Sequence, residues 1–101
     1  MNDMDYANRK GLEILLQNAL ENVLLNRRFC DISELKNYIQ SMLRVAEIGD
    51  FEESTNEDME ELDYELLTEL TIWDEPFYLD IYYAKTRTEI IITGLEVEML
   101  D

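Results

Sequence analysis

Carboxylates are the one reactive group this chain holds in quantity: 24 Asp and Glu stand against 8 Lys and Arg, with no histidine, in 101 residues. Without histidine, Ser-His and Cys-His nucleophile pairs and the usual zinc sites are out of reach. Three scattered glycines cannot form a phosphate-binding loop. Cys30, the sole cysteine, has no histidine to activate it, and it fits a reducing compartment without an internal disulfide. Paired carboxylates can do acid–base work, yet in so acidic a chain some pair always falls close to another. The inventory points away from an enzyme.

Calcium is the next chemistry that acids suggest. Counting from Asp50 places Asp50, Glu52, Ser54, Asp58 and Glu61 at liganding positions of an EF-hand loop. Thr55 then occupies the position that needs glycine for the sharp turn, and Glu52 is long for its place. The match is a coincidence of an acid-rich run. No metal and no cofactor is expected.

What remains is recognition by charge. Between Arg44 and Lys85 there is no basic residue, and 14 of the 24 carboxylates fall there. Taken as a helix from Glu57, this stretch sets Met59, Leu62, Leu66, Leu70 and Trp73 on one stripe. Glu57, Asp58, Glu60, Glu61, Glu65 and Glu69 lie opposite with Tyr64 among them, and Asp63 borders the stripe. From Glu57 to Glu69 such a helix runs about 18 Å, or one charge per roughly 2.6 Å. A DNA strand carries a phosphate every ~3.4 Å of axis. Like charges three and four apart destabilise the helix by about 0.2–0.5 kcal/mol per pair, and an ordinary soluble surface intersperses Lys and Arg. A one-signed face therefore suits a cationic partner. The expected contact residues are Glu52, Glu53, Glu57, Asp58, Glu60, Glu61, Tyr64, Glu65, Glu69, Asp74 and Glu75.

The elements that must position these residues follow from periodicity. A first helix is expected from about Met4 to Leu25, with Leu12, Leu15, Leu16, Ala19, Leu20, Val23 and Leu24 on its apolar face and Glu13, Gln17, Asn18, Glu21 and Asn22 largely opposite. A second runs from about Ile32 to Ala46, capped by Asp31 with Glu34 three residues on. The acidic third helix ends at Asp74-Glu75-Pro76. Phe77, Leu79, Ile81 and Tyr83 then alternate with Tyr78, Asp80, Tyr82 and Ala84, and a second strand begins at Ile90-Ile91-Ile92. The expected fold is a single α+β domain, three helices followed by a C-terminal antiparallel β-hairpin. Trp73 and Phe77 are expected in the core, and Tyr78 and Tyr82 on one strand face.

Charge excludes whole classes of partner. A pI near 4.1 opposes direct binding of nucleic acid or an anionic membrane. No apolar run reaches the ~20 residues of a membrane helix, and Met1–Tyr6 lacks the basic start of a signal peptide. A cytoplasmic protein is expected.

A short acidic chain with clustered carboxylates, tyrosine among them and no catalytic kit resembles the phage-encoded DNA mimics, including acidic anti-CRISPR and anti-restriction proteins. The resemblance rests on Glu52–Glu75 and on composition, without a signature motif. It implies occupation of a basic nucleic-acid channel on a host nuclease or effector complex, with carboxylates in place of phosphates and Tyr64 where a base would sit. Two alternatives share the composition. One is an antitoxin or immunity protein that neutralises a basic toxin. The other is a structural homo-oligomer, a homodimer in the simplest case, whose Ile90–Ile92 strand pairs edge to edge with its own copy.

Overall fold

The computed structural model describes residues 3–55 and 64–100. Its elements are α1 (Asp3–Leu24), β1 (Arg28–Phe29), α2 (Ile32–Met42), β2 (Ala46–Ile48), β3 (Glu52–Thr55), β4 (Tyr64–Ile72), β5 (Glu75–Lys85) and β6 (Ile90–Met99). The strands pair antiparallel in the order β1-β6-β5-β4-β2, and β3 also pairs with β4. The expected three helices followed by a C-terminal hairpin are thus corrected to two helices and a curled six-stranded sheet among the described residues. The β5–β6 hairpin is the middle of that sheet, not an appendage.

The correction turns on Tyr64–Ile72. Leu66 and Leu70 are four apart, a spacing that fits both a helix stripe and one face of a strand. Tyr64, Leu66, Thr68, Leu70 and Ile72 alternate inward, and Leu67 and Glu69 are exposed. Thr68 disguises the alternation because it is polar yet buried; its hydroxyl donates to the Gly49 carbonyl at 3.0 Å. The expected start of the acidic helix, at Glu57, lies outside the described residues.

Trp73, expected in the core, is instead 70% exposed. Trp73 and Asp74 have φ of 49° and 65° and form the two-residue turn between β4 and β5. Two successive positive φ values are the signature of the type I′ hairpin. Asp74 therefore completes a hairpin turn and Glu75-Pro76 opens a strand where a helix end was expected. Pro76 stands opposite Thr71, just past the closing pair Ile72 and Glu75, and its carbonyl accepts from the Leu100 amide at 3.3 Å.

At the far edge, β2 and β3 form one interrupted strand along β4. Ile48 faces Leu70 and Glu52 faces Leu67, so Gly49, Asp50 and Phe51 stand against Thr68 and Glu69. The extra residue makes a β-bulge. The Gly49 amide still reaches the Glu69 carbonyl at 2.9 Å.

One face of β4, β5 and β6 is buried, with Leu66, Leu70, Phe77, Leu79, Ile81, Tyr83, Ile92 and Val97 packed against Leu16, Leu20 and Leu24 of α1 and Leu35 and Ile39 of α2. Asp31 caps α2 by accepting from the Glu34 amide at 2.8 Å, and Glu34 reaches back to the Cys30 amide at 3.2 Å.

α1 sits rotated from its expected orientation. β1 covers Ile90 and Ile91 on the outer edge of β6, and just before it the Asn26 amide donates to the Ile92 carbonyl at 2.8 Å while the Arg27 carbonyl accepts from the Ile92 amide at 3.0 Å. Beyond them, side chains of α1 take the place of a strand. Gln17 donates to the Leu95 carbonyl at 2.8 Å and accepts from the Val97 amide at 2.6 Å, Glu13 accepts from the Met99 amide at 2.9 Å, and Arg9 donates to the Leu100 carbonyl. Residues four apart on a helix share a face, so Arg9, Glu13 and Gln17 line this edge while Leu15 and Ala19 turn outward. An unpaired edge invites association with other strands. Here it is closed, and Ile90–Ile92 cannot pair edge to edge with a second copy as the oligomer alternative required.

Candidate acidic interface

Strand pleating sends alternate residues to opposite sides, so the face of the sheet away from the core follows from the register. Glu69, Tyr78 and Glu98 form one row across β4, β5 and β6. Glu52, Leu67, Asp80 and Glu96 form the next, across β3 to β6. Glu65, Tyr82 and Gly94 form a third, and Glu47 lies opposite Thr71 at the end of β4. Seven carboxylates, Glu47, Glu52, Glu65, Glu69, Asp80, Glu96 and Glu98, thus share one outer face.

Spacing on this lattice is fixed by the sheet. Asp80 and Glu96 spring from neighbouring strands about 5 Å apart, and Glu96 and Glu98 from positions about 7 Å apart along one strand. Exposed Leu67 and Tyr78 form the floor between them. Two shallow hollows open there, one of about 370 Å³ beside Glu52, Glu69 and Gly49, the other of about 250 Å³ beside Asp80, Glu96 and Glu98.

No ion pair among the described residues neutralises this face. The pairs that form are Arg9–Glu75 at 3.0 Å, Lys10–Glu13 at 2.7 Å, Arg28–Glu89 at 3.0 Å, Lys36–Asp50 at 3.6 Å and Lys85–Glu53 at 2.9 Å. None involves the seven carboxylates. Burial first, and then the neighbouring Glu65 carboxyl, push the pKa of Asp80 up to about 6. Burial and the Asp80 charge likewise push the Tyr82 hydroxyl up to about 12.

The expected contact residues divide. Glu52, Glu65 and Glu69 lie on the outer face. Glu53 has the opposite phase and is paired with Lys85, which holds its carboxyl below the usual range. Tyr64 is also on the inner side, its ring 5.3 Å from that of Tyr83 and 4.5 Å from Lys85 Nζ, so it does not stand among the carboxylates. Asp74 is in the hairpin turn and Glu75 is held by Arg9. Glu57, Asp58, Glu60 and Glu61 lie outside the described residues. For Glu65 and Glu69, the described part of the expected helical rod, the correction is to a sheet face that they share with five other carboxylates over five strands.

Glu47, Asp80, Glu96 and Glu98 were missed as members. Their signal was the strand alternation itself: Glu96 and Glu98 oppose Leu95 and Val97 in phase, as Tyr78, Asp80 and Tyr82 oppose Leu79 and Ile81.

Nucleophile chemistry finds little support elsewhere. The exposed Cys30 thiol is pushed up by its hydrogen bond to Glu34 and by the surrounding carboxylates, which disfavours the thiolate. Among the described residues, no group of three or more His, Cys, Asp or Glu is gathered so that it could hold a metal ion, and no helix is long and apolar enough to cross a membrane. Comparison of the chain with protein-family models, with curated proteins and with solved structures gives no match.

Proposed function

We propose that the protein is an acidic binding module that occupies a basic, nucleic-acid-binding surface of another protein, in the manner of the DNA mimics. The outer sheet face is the contact surface. Its carboxylates stand where phosphates would, and Leu67, Tyr78 and Tyr82 supply the apolar and hydrogen-bonding ground between them. The observation that carries this reading is the absence of any internal counter-ion on the seven carboxylates among the described residues. Opposite-charge steering makes such association fast and strongly salt-dependent.

Capture on the immobilised protein from a lysate of the source cells at low salt, followed by elution with double-stranded DNA at constant ionic strength, tests the reading. The expected result is displacement by DNA, and loss of capture on a Glu65→Lys/Glu69→Lys/Glu96→Lys variant that folds normally. Bound proteins that DNA does not displace, or that bind the variant equally well, overturn it.

A further inference from the structure

The exposed side of α1 is the electrostatic opposite of the sheet face. Gly11, Ile14, Leu15, Asn18, Asn22 and Leu25 fall on the side away from buried Leu16, Leu20 and Leu24, and none is charged. Ile14 and Leu15 are 52% and 65% exposed. The carboxylates of this part of the helix are drawn elsewhere, Glu13 to the Met99 amide and Glu21 to Gln17. At the N-terminal end the surface runs into a cleft of about 270 Å³ lined by Asn8, Arg9, Leu12, Trp73 and Glu75. Trp73, the only tryptophan, stands there at 70% exposure on a backbone with φ of 49°. A bulky residue at positive φ is a strained placement, and within one copy the indole gains little burial to offset it.

We propose that this surface binds a second copy of the chain, α1 against α1 about a two-fold axis, with Trp73 of each copy covered by the other. Charge selects the occupant. Two bodies of net charge −16 repel wherever both present carboxylates; this helix side is a face on which they can meet without doing so. A basic partner would find its counter-charges massed on the sheet, whereas here Glu13, Glu21 and Glu75 are already engaged by the Met99 amide, Gln17 and Arg9, and Asp74 stands only at the rim. Size agrees: from Ala7 to Leu24 the helix is about 27 Å long and 10 Å wide, and an aromatic side chain adds up to about 250 Å². The pair removes roughly 1,000 Å² from water, the lower limit for specific association. Gly11 has nothing within 4 Å of where a Cβ would stand, so it leaves room for close approach. The dimer is therefore reversible and concentration-dependent, and it leaves both acidic faces uncovered. The inference does not depend on the acidic face being a binding surface.

The lone tryptophan makes the test direct. Sedimentation equilibrium and tryptophan emission are followed together from nanomolar to high micromolar protein. The expected result is a mass rising from 12.0 kDa towards twice that value, with the emission shifting to the blue over the same concentrations. Leu15→Lys should move both transitions to at least about tenfold higher concentration. Asn18→Lys, at a polar exposed position, serves the same purpose should the first variant not fold. A monomer at every concentration, a dimer formed with unchanged emission, or a dimer undisturbed in the folded variant overturns the proposal.

Discussion

The Tyr82 hydroxyl donates to Asp80 Oδ2 at 3.2 Å, so the two residues brace one another along the outer face of β5. The other oxygen, Oδ1, is buried without a hydrogen-bond partner among the described residues. The brace favours the ionised carboxyl, but burial and Glu65 outweigh it.

A pH dependence follows with a definite sign. In the unfolded chain an aspartate titrates near 3.9, whereas in the folded chain Asp80 titrates at about 6. The folded state therefore binds this proton more tightly, so the contribution is complete below about 3.9 and is lost as pH rises through about 6. Asp80→Asn keeps the shape and can still accept from Tyr82. Its urea midpoint should gain on the wild type across that window. A difference between the two proteins that does not change with pH would contradict the assignment.

Asp80 and Glu96 are also direct cross-strand partners on the outer face. Like charges placed so oppose pairing, and replacing one by its opposite is worth about 0.2–1 kcal/mol. Glu96→Lys should raise stability by that amount at low salt and by less at high salt, read from denaturant midpoints. The same substitution should weaken the proposed interface, a gain in stability at the expense of binding.

Gln17 serves two backbone groups of β6 at once, the Leu95 carbonyl and the Val97 amide. Gln17→Ala strips both, and an unsatisfied partly buried group costs about 1–3 kcal/mol. Hydrogen exchange should quicken at the Val97 amide well before it does at Phe77, in the buried strand behind. Equal protection in variant and wild type would mean that the helix does not guard this edge.

The β4–β5 turn carries residues ill suited to its geometry. Asn-Gly is the preferred pair for a type I′ turn, and each strained residue costs on the order of 1–3 kcal/mol. Trp73→Asn/Asp74→Gly should therefore raise the stability of the isolated chain, measured by denaturant at low protein concentration. No gain would show that the turn holds Trp and Asp without strain.

These relationships also explain how far the sequence could be followed. The capping of α2 by Asp31 and Glu34 and the alternation of Phe77–Tyr83 are local patterns, and local patterns are legible. Tyr64–Ile72 was not, because Leu66 and Leu70 satisfy both periods and buried Thr68 breaks the strand signal. Trp73-Asp74 offers no glycine or asparagine to announce a hairpin. The acidic character of the protein was plain from composition, but the plane it occupies depends on register across β3, β4, β5 and β6, which no local pattern states. The rotation of α1 had the same origin: Gln17 and Glu13 look like solvent residues until an unpaired strand edge is placed beside them.

The clamp between α1 and the end of β6 joins positions 78 to 91 residues apart. β1 likewise waits for Ile90 and Ile91. During synthesis the leucines of α1 therefore leave the ribosome long before the strand that will shelter them exists. Contacts so distant along the chain form late and slow the search for the native topology. Nascent chains of this protein would carry an uncovered apolar helix until β6 has been made, the period in which chaperone capture or aggregation competes with folding.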